Sequence, residues 1–262
     1  MGVIRTDKWI TEEQQPSSLA KKLESCFDGE SAKDIFVFLQ KHGMARLPFS
    51  DGEKLVEKLQ EIKAWHLVQR EKRELRQVWS GPEVPIFILP ADTGNRRMMR
   101  EFHGKSGVAF PDKLFLFLSE NNTAGEIRAL FTHEYNHVCR LSRMQQEDSG
   151  FSLLDRAVLE GMAEHAVRER FGDKFTAKWT SYYTEKQLER FWLKLMLPNR
   201  DLSPVERGYE KILYGLGMLP DMAGYAVGYF LVGNYMEKNQ VAAADLLTVK
   251  TEEIANSFLQ EE

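Results

Sequence analysis

The sequence predicts an α+β fold that is mainly α-helical, and three stretches carry that prediction. About the first 75 residues repeat apolar side chains at the helical period. Between Val84 and Leu118 the period shortens into brief apolar runs bounded by proline, glycine and aspartate. After Asn121-Asn122-Thr123 the helical period returns and persists to the end. Helices, a small sheet and helices again make an α+β order, whereas an α/β chain would alternate them as βαβ units. No internal repeat or low-complexity tract interrupts this order.

Taken in order, a short helix is expected over Ser17–Phe27. Ser31–His42 follows, with Ile35, Phe36, Phe38 and Leu39 apolar and Gly43 placed to cap its end. Asp51–Trp79 reads as one long helix. Leu55, Leu59, Ile62 and Trp65 form its apolar stripe, and Glu53, Glu57 and Glu61 form a solvated one. Val84–Pro90 is a proline-bounded strand, and Gly107–Phe110 and Leu114–Leu118 are strands split by Pro111-Asp112. The helical remainder breaks near Glu147–Gly150, Pro198–Ser203 and Pro220. A division into an N-terminal helical region, 1–79, and a second domain, 80–262, fits this order.

Composition narrows the function. Lys and Arg number 35 against 39 Asp and Glu, a net charge of −4, so no global positive field attracts phosphate backbones and nucleic acid is not an expected partner. Two cysteines cannot build a disulfide framework, and the residues up to Gln15 contain no apolar leader, so a cytoplasmic location is expected. Met222–Met236 carries no charge, but its 15 residues fall short of the ~20 a membrane span needs and include three glycines and Asn234. It reads as a buried helix, and no membrane span is expected.

The chemistry sits in His133-Glu134-Tyr135-Asn136-His137, an H-E-x-x-H pattern inside a predicted helix. At 3.6 residues per turn the two histidines project about 40° apart and Glu134 about 100° from the first. Both imidazoles can reach one Zn²⁺ with the carboxylate beside it. Composition alone gives the pattern roughly 0.014 times per chain. Ile127, Phe131, Val138 and Leu141 form an apolar seam with Glu134 in its middle, a costly place for an unpartnered carboxylate. Desolvation there would raise its pKa toward the range of a general base. A buried Arg or Lys opposite would serve as a purely structural partner.

A catalytic zinc usually takes three protein ligands. A metzincin would continue with Gly at 140 and His at 143, where this chain has Arg140 and Arg143. The remaining option is a glutamate from the next helix, Leu153–Arg170, which contains Leu159-Glu160-Gly161-Met162-Ala163-Glu164. Glu160 and Glu164 share a face, and the economical division makes Glu160 the ligand and Glu164 the carboxylate that orients a ligand histidine. A solvated acidic face is the alternative. Gly161 in mid-helix costs about 1 kcal/mol against alanine, which points to close packing there. Cys139 projects away from the metal and reads as a small buried hydrophobe. His165 is an unlikely ligand by projection, His42, His66 and His103 belong to no motif, and Trp65, Trp79, Trp179 and Trp192 read as core.

These residues resemble the gluzincin metallopeptidases, in which a glutamate follows HExxH. More closely, the chain resembles the YjaZ-like predicted zinc-dependent proteases of bacteria. The likeness covers roughly 80–240: Ile86–Asp92, Ser106–Phe110, Leu114–Ser119, the HExxH helix, Leu159–Glu164 and Gly224–Tyr229. It implies a zincin-like fold, with a small sheet and the active-site helix above a helical lower half. It also implies a zinc peptidase acting on peptides or proteins, with Zn²⁺ on His133, His137 and Glu160 and Glu134 as general base. Glu164 stands where an aspartate is more common. The gluzincin pattern implies an oxyanion donor from the lower half, for which Tyr225 and then Tyr229 are the candidates, with Tyr209 and Tyr214 in reserve. Substrate would pair with an edge strand, either Gly107–Phe110 or Leu114–Leu118, and a plain core strand is the equal alternative for both segments. Two other classes compete: a zincin-fold binding or regulatory protein that holds metal without cleaving, and an all-helical interaction protein with a fortuitous motif.

Overall fold

The computed structural model describes residues 2–13, 15–46, 52–144 and 150–259. They form two compact units, Met1–Val138 and Cys139–Glu262. Among the described residues the fold is mainly helical with one three-stranded mixed sheet.

In the first unit, α1 (Thr6–Glu12), α2 (Pro16–Leu23) and α3 (Ala32–Lys41) precede the sheet. α2 is shorter than expected and its last turn tightens into a 3₁₀ turn, Glu24–Cys26. α3 is capped as its sequence predicts: the Ser31 side chain accepts from Asp34 N–H, and Gly43 follows the helix at φ 116°. The long helix expected over Asp51–Trp79 is instead two helices, α4 (Gly52–Glu61) and α5 (Ala64–Trp79); Asp51 lies outside the described residues. The break is at Lys63, whose backbone is left-handed at φ 54°. No glycine or proline marks it, so the unbroken apolar period hides it.

β1 (Ile86–Pro90) pairs in parallel with β3 (Leu114–Leu118), and β2 (Ser106–Ala109) pairs antiparallel on the other side of β3. The order β1-β3-β2 makes β3 the central strand, so Leu114–Leu118 is not the edge that its sequence allowed. All residues of β1 and β3 are buried, as covered strands require, whereas β2 is half-buried throughout. Phe87, Leu89, Phe115 and Phe117, on one face by the strand period of two, pack with Ile10, Leu19, Leu23, Ile35 and Leu39 of α1–α3. α6 (Arg96–Phe102) is a short helix that periodicity missed; the Asn95 side chain caps it by accepting from Arg97 and Met98 N–H.

α7 (Ala124–Met144) opens with a Thr-x-x-Glu capping box, in which Thr123 Oγ1 accepts from Glu126 N–H and Glu126 Oε2 from Thr123 N–H at 2.9 Å. Arg128 reaches the fully buried Glu71 of α5 at 2.6 Å, and the Tyr135 hydroxyl donates to the Pro82 carbonyl at 2.9 Å. These two bonds orient the helix about its own axis.

The second unit is helical: α8 (Leu153–Phe171), α9 (Glu185–Phe191), α10 (Tyr209–Tyr214), α11 (Ala223–Asn239) and α12 (Thr251–Leu259). Ser152 and Asp155 cap α8 reciprocally. The uncharged stretch Met222–Met236 falls largely within α11, against whose buried face α8 packs; no helix among the described residues is long and apolar enough to cross a membrane. Glycines set the approach. A Cβ on Gly161 would stand 2.5 Å from the Gly228 carbonyl oxygen, and one on Gly228 would fall on the Ala157 carbonyl. Arg140 is buried here and donates Nη1–H to the carbonyls of Leu246, at 3.1 Å, and Val249, so it clamps the segment before α12. Cys139 is fully buried, and Trp65, Trp79, Trp179 and Trp192 are core, as expected. Of the break at 147–150, only Gly150 is among the described residues.

Candidate metal centre

The four-residue spacing on α7 brings His133 and His137 together. Their Nε2 atoms lie 3.0 Å apart, with the rings nearly perpendicular at 85°. Two imidazoles bound at 2.0–2.1 Å to one tetrahedral zinc would place these nitrogens about 3.3 Å apart, so the pair fits such an ion. The apolar seam is as expected: Ile127, Phe131 and Val138 are fully buried and Glu134, in their midst, is only 6% exposed. β2 crosses beside that carboxylate. A Cβ on Gly107 would stand 2.5 Å from Glu134 Cδ and 2.6 Å from Oε1. The strand reaches the carboxylate only because residue 107 has no side chain, a role invisible in the sequence, where Gly107 is one strand residue among several.

In the second unit Glu160, Glu164 and Arg168 follow one another at four-residue steps along α8. Tyr225 faces the Glu160 end. Its phenol pKa is held well above the ordinary value, first by burial and then by the Glu160 carboxylate and Tyr214. Trp179 stacks on the Tyr225 ring at 5.4 Å and Tyr214 meets its edge at 5.5 Å. Tyr229, one turn on, has its phenol raised by burial, with Asp173 and Glu164 adding to the rise and Arg168 opposing it. The two tyrosines, paired by helical spacing, therefore serve different neighbourhoods. Glu164 Oε2 accepts the Ala177 N–H at 2.7 Å and pins the loop after α8. That bond is tertiary, and no sequence pattern announces it.

A family model described as "Predicted Zn-dependent protease (DUF2268)" matches residues 64–256. The chain belongs to this family of predicted zinc-dependent proteases. The match takes in α5, the whole sheet, α7, α8 and α11, and extends beyond the 80–240 span of the resemblance read from sequence. Two proteins of Bacillus subtilis (strain 168) are similar. "Uncharacterized protein YjaZ" is 40% identical over 262 residues, 99% of this chain and 100% of that protein. "Uncharacterized protein YjfC" is 24% identical over 218 residues, 76% of this chain and 72% of that protein. No solved structure matches.

In this member of the family of predicted zinc-dependent proteases, His165 is a structural histidine. Its Nε2–H donates to the Tyr229 carbonyl at 2.9 Å, its ring stacks on Tyr229 at 4.0 Å, and it is 6% exposed. Burial, with Arg168 adding repulsion, pushes its pKa down to about 4 despite the carbonyl. The unfolded chain, with an ordinary value near 6.5, therefore takes up the proton first. Stability is full above pH 6.5, falls as the pH drops toward 4 and levels off below, a change of about 3 kcal/mol. His165→Gln keeps a donor for the carbonyl but does not titrate. Its denaturation midpoint should fall less than that of wild type between pH 7 and pH 4.5; equal falls would remove His165 from the acid response.

Proposed function

We propose that this chain is a zinc peptidase of zincin-like design, with His133, His137 and Glu160 as the candidate ligand group and Glu134 as general base. The observation that carries this reading is the 3.0 Å approach of the two Nε2 atoms beside a buried glutamate on the same helix. The family description supports the metal and the reaction class, and peptides or proteins as substrates. When bound, zinc would supply Lewis acidity, making a water acidic near neutral pH and polarising the substrate carbonyl.

The remaining chemistry belongs to the chain. Glu134 accepts the proton of the attacking water and returns it to the leaving amine. The seam of Ile127, Phe131 and Val138 keeps its carboxylate out of bulk water. β2, the sheet edge beside Glu134, offers main-chain groups along which an extended substrate can pair. Tyr225, whose pKa is raised further above the already high phenol value by burial and Glu160, keeps its hydroxyl proton and can donate it to the developing oxyanion. Glu164 takes the supporting role toward a ligand histidine in addition to holding Ala177.

The ligand choice is tested by zinc content of purified protein. Glu160→Ala should strip the metal, whereas Glu164→Ala should weaken affinity by about 10–100-fold, the cost of losing an orienting carboxylate. The reverse order would move the ligand to Glu164.

A further inference from the structure

The face of α8 that carries Glu160 and Glu164 continues to Arg168 and ends at a polar cleft of about 420 Å³. Arg168, Lys174 and Lys178 line it, with Asp173 as its one acidic residue and Tyr229 at its wall. Three cations against one carboxylate leave a net charge of +2 in the lining. The cleft is built by bonds rather than by chance exposure. Glu164 holds Ala177 N–H at 2.7 Å, Thr176 Oγ1 donates to the Asp173 carbonyl at 2.9 Å, and Thr180 Oγ1 donates to the Ala177 carbonyl at 2.8 Å. Those threonine hydroxyls are committed to the loop, so the charge offered to a ligand comes from the three cations. Asp173 Oδ1 lies 2.8 Å from the Arg168 Nε, and Arg168 also hydrogen-bonds the Tyr229 hydroxyl, so the guanidinium is oriented at the wall of the cleft. The larger cleft of the first unit, near Arg73, differs in this respect: Glu83 already pairs with both Lys72 and Arg76 there.

Position gives the cleft a meaning. Arg168 lies eight residues from Glu160 on the same helix, a rise of about 12 Å. An extended peptide covers that distance in three to four residues at about 3.3–3.6 Å each. We propose that this cleft is an anion-accepting substrate subsite, which selects peptides carrying a carboxylate three to four residues from the cleaved bond. The carboxylate is either an acidic side chain or a free C-terminus. This inference rests on the zinc-peptidase reading, with Glu160 at the metal, for its position. The electrostatic preference itself rests only on the lining.

The test uses the zinc-loaded full chain and internally quenched peptides. One arm walks a single Glu along an otherwise neutral, C-terminally amidated peptide. The other shortens the same neutral peptide with its C-terminus free. The quantity read is the ratio of kcat/KM for each carboxylate-bearing peptide to that of the neutral parent. A ratio of about 10 is expected at three to four residues from the cleaved bond, carried mainly by KM, and falling toward 1 in Arg168→Gln and at high salt. Lys174→Gln, which leaves the Asp173–Arg168 and Glu164–Ala177 bonds in place, should lower the same ratio partly and guards against a folding defect in the arginine variant. Equal cleavage of neutral and acidic peptides, or a ratio indifferent to both substitutions, overturns the subsite while leaving the peptidase intact. If no peptide is cleaved, the peptidase reading has failed, and binding of the same labelled peptides by fluorescence anisotropy decides the subsite. Acidic peptides that bind about tenfold more tightly than neutral ones in wild type, but not in Arg168→Gln, sustain it; equal binding overturns it.

Discussion

Glu134→Gln is expected to retain zinc and to lower peptide hydrolysis by about 10²–10⁴-fold. Glutamine matches glutamate in size, so the substitution leaves the packing against β2 intact, including the close approach allowed by Gly107. What it removes is basicity, since an amide oxygen does not take up the proton of the attacking water. His133→Ala and His137→Ala should behave differently. Each deletes one of three proposed ligands, so both zinc and activity should disappear together. Zinc stoichiometry and kcat/KM measured on the same three preparations separate the roles. Near-normal turnover in Glu134→Gln would make the buried carboxylate structural, and one zinc per chain in both histidine variants would remove the site altogether.

Gly228→Ala carries the second large effect, this time on stability. In most cores an added methyl group is absorbed by rotating a neighbouring side chain. Here the new Cβ falls on the backbone carbonyl of Ala157, in the second turn of α8, and the reciprocal glycine Gly161 sits against the Gly228 carbonyl. Neither helix can yield locally without breaking its own ladder, so the helices must separate. Overpacking of this kind costs about 3 kcal/mol or more, which lowers Tm by roughly 5–10 °C in a chain of this size. Because α8 also carries Glu160, zinc affinity should fall with it. Thermal unfolding of Gly228→Ala beside wild type checks this. A Tm within about 1 °C of wild type would mean that the two helices are not held at glycine distance.

The elements legible in the sequence are those whose signal is local. Leu114–Leu118 is five consecutive apolar residues and forms β3 over that span. Ser31 and Gly43 bracket α3 because an N-cap oxygen and a left-handed glycine act within a few residues of the helix they terminate. The features that escaped have no local cost to reveal them. Lys63 breaks a helix without glycine or proline, and α6 is too short to show a period. Leu114–Leu118 and Gly107–Phe110 read equally well as an edge strand, since apolar runs say nothing of strand order.

For the candidate site, the sequence by itself determined the HExxH face, its place in an apolar seam and the acidic pair that follows. A helix of 3.6 residues per turn sets those relations wherever it is packed. Only the tertiary structure decided that β2, rather than β3, lies at a sheet edge and passes beside Glu134, and that Gly107 permits it. It also assigned Tyr225 to the Glu160 end of α8 and Tyr229 to the Arg168 end, and gave Glu164 the backbone of Ala177 as a partner. Each of these depends on groups from different elements meeting at contact distance. Spacing along one element fixes direction, whereas such meetings follow from how closely elements pack, down to the absence of a single Cβ.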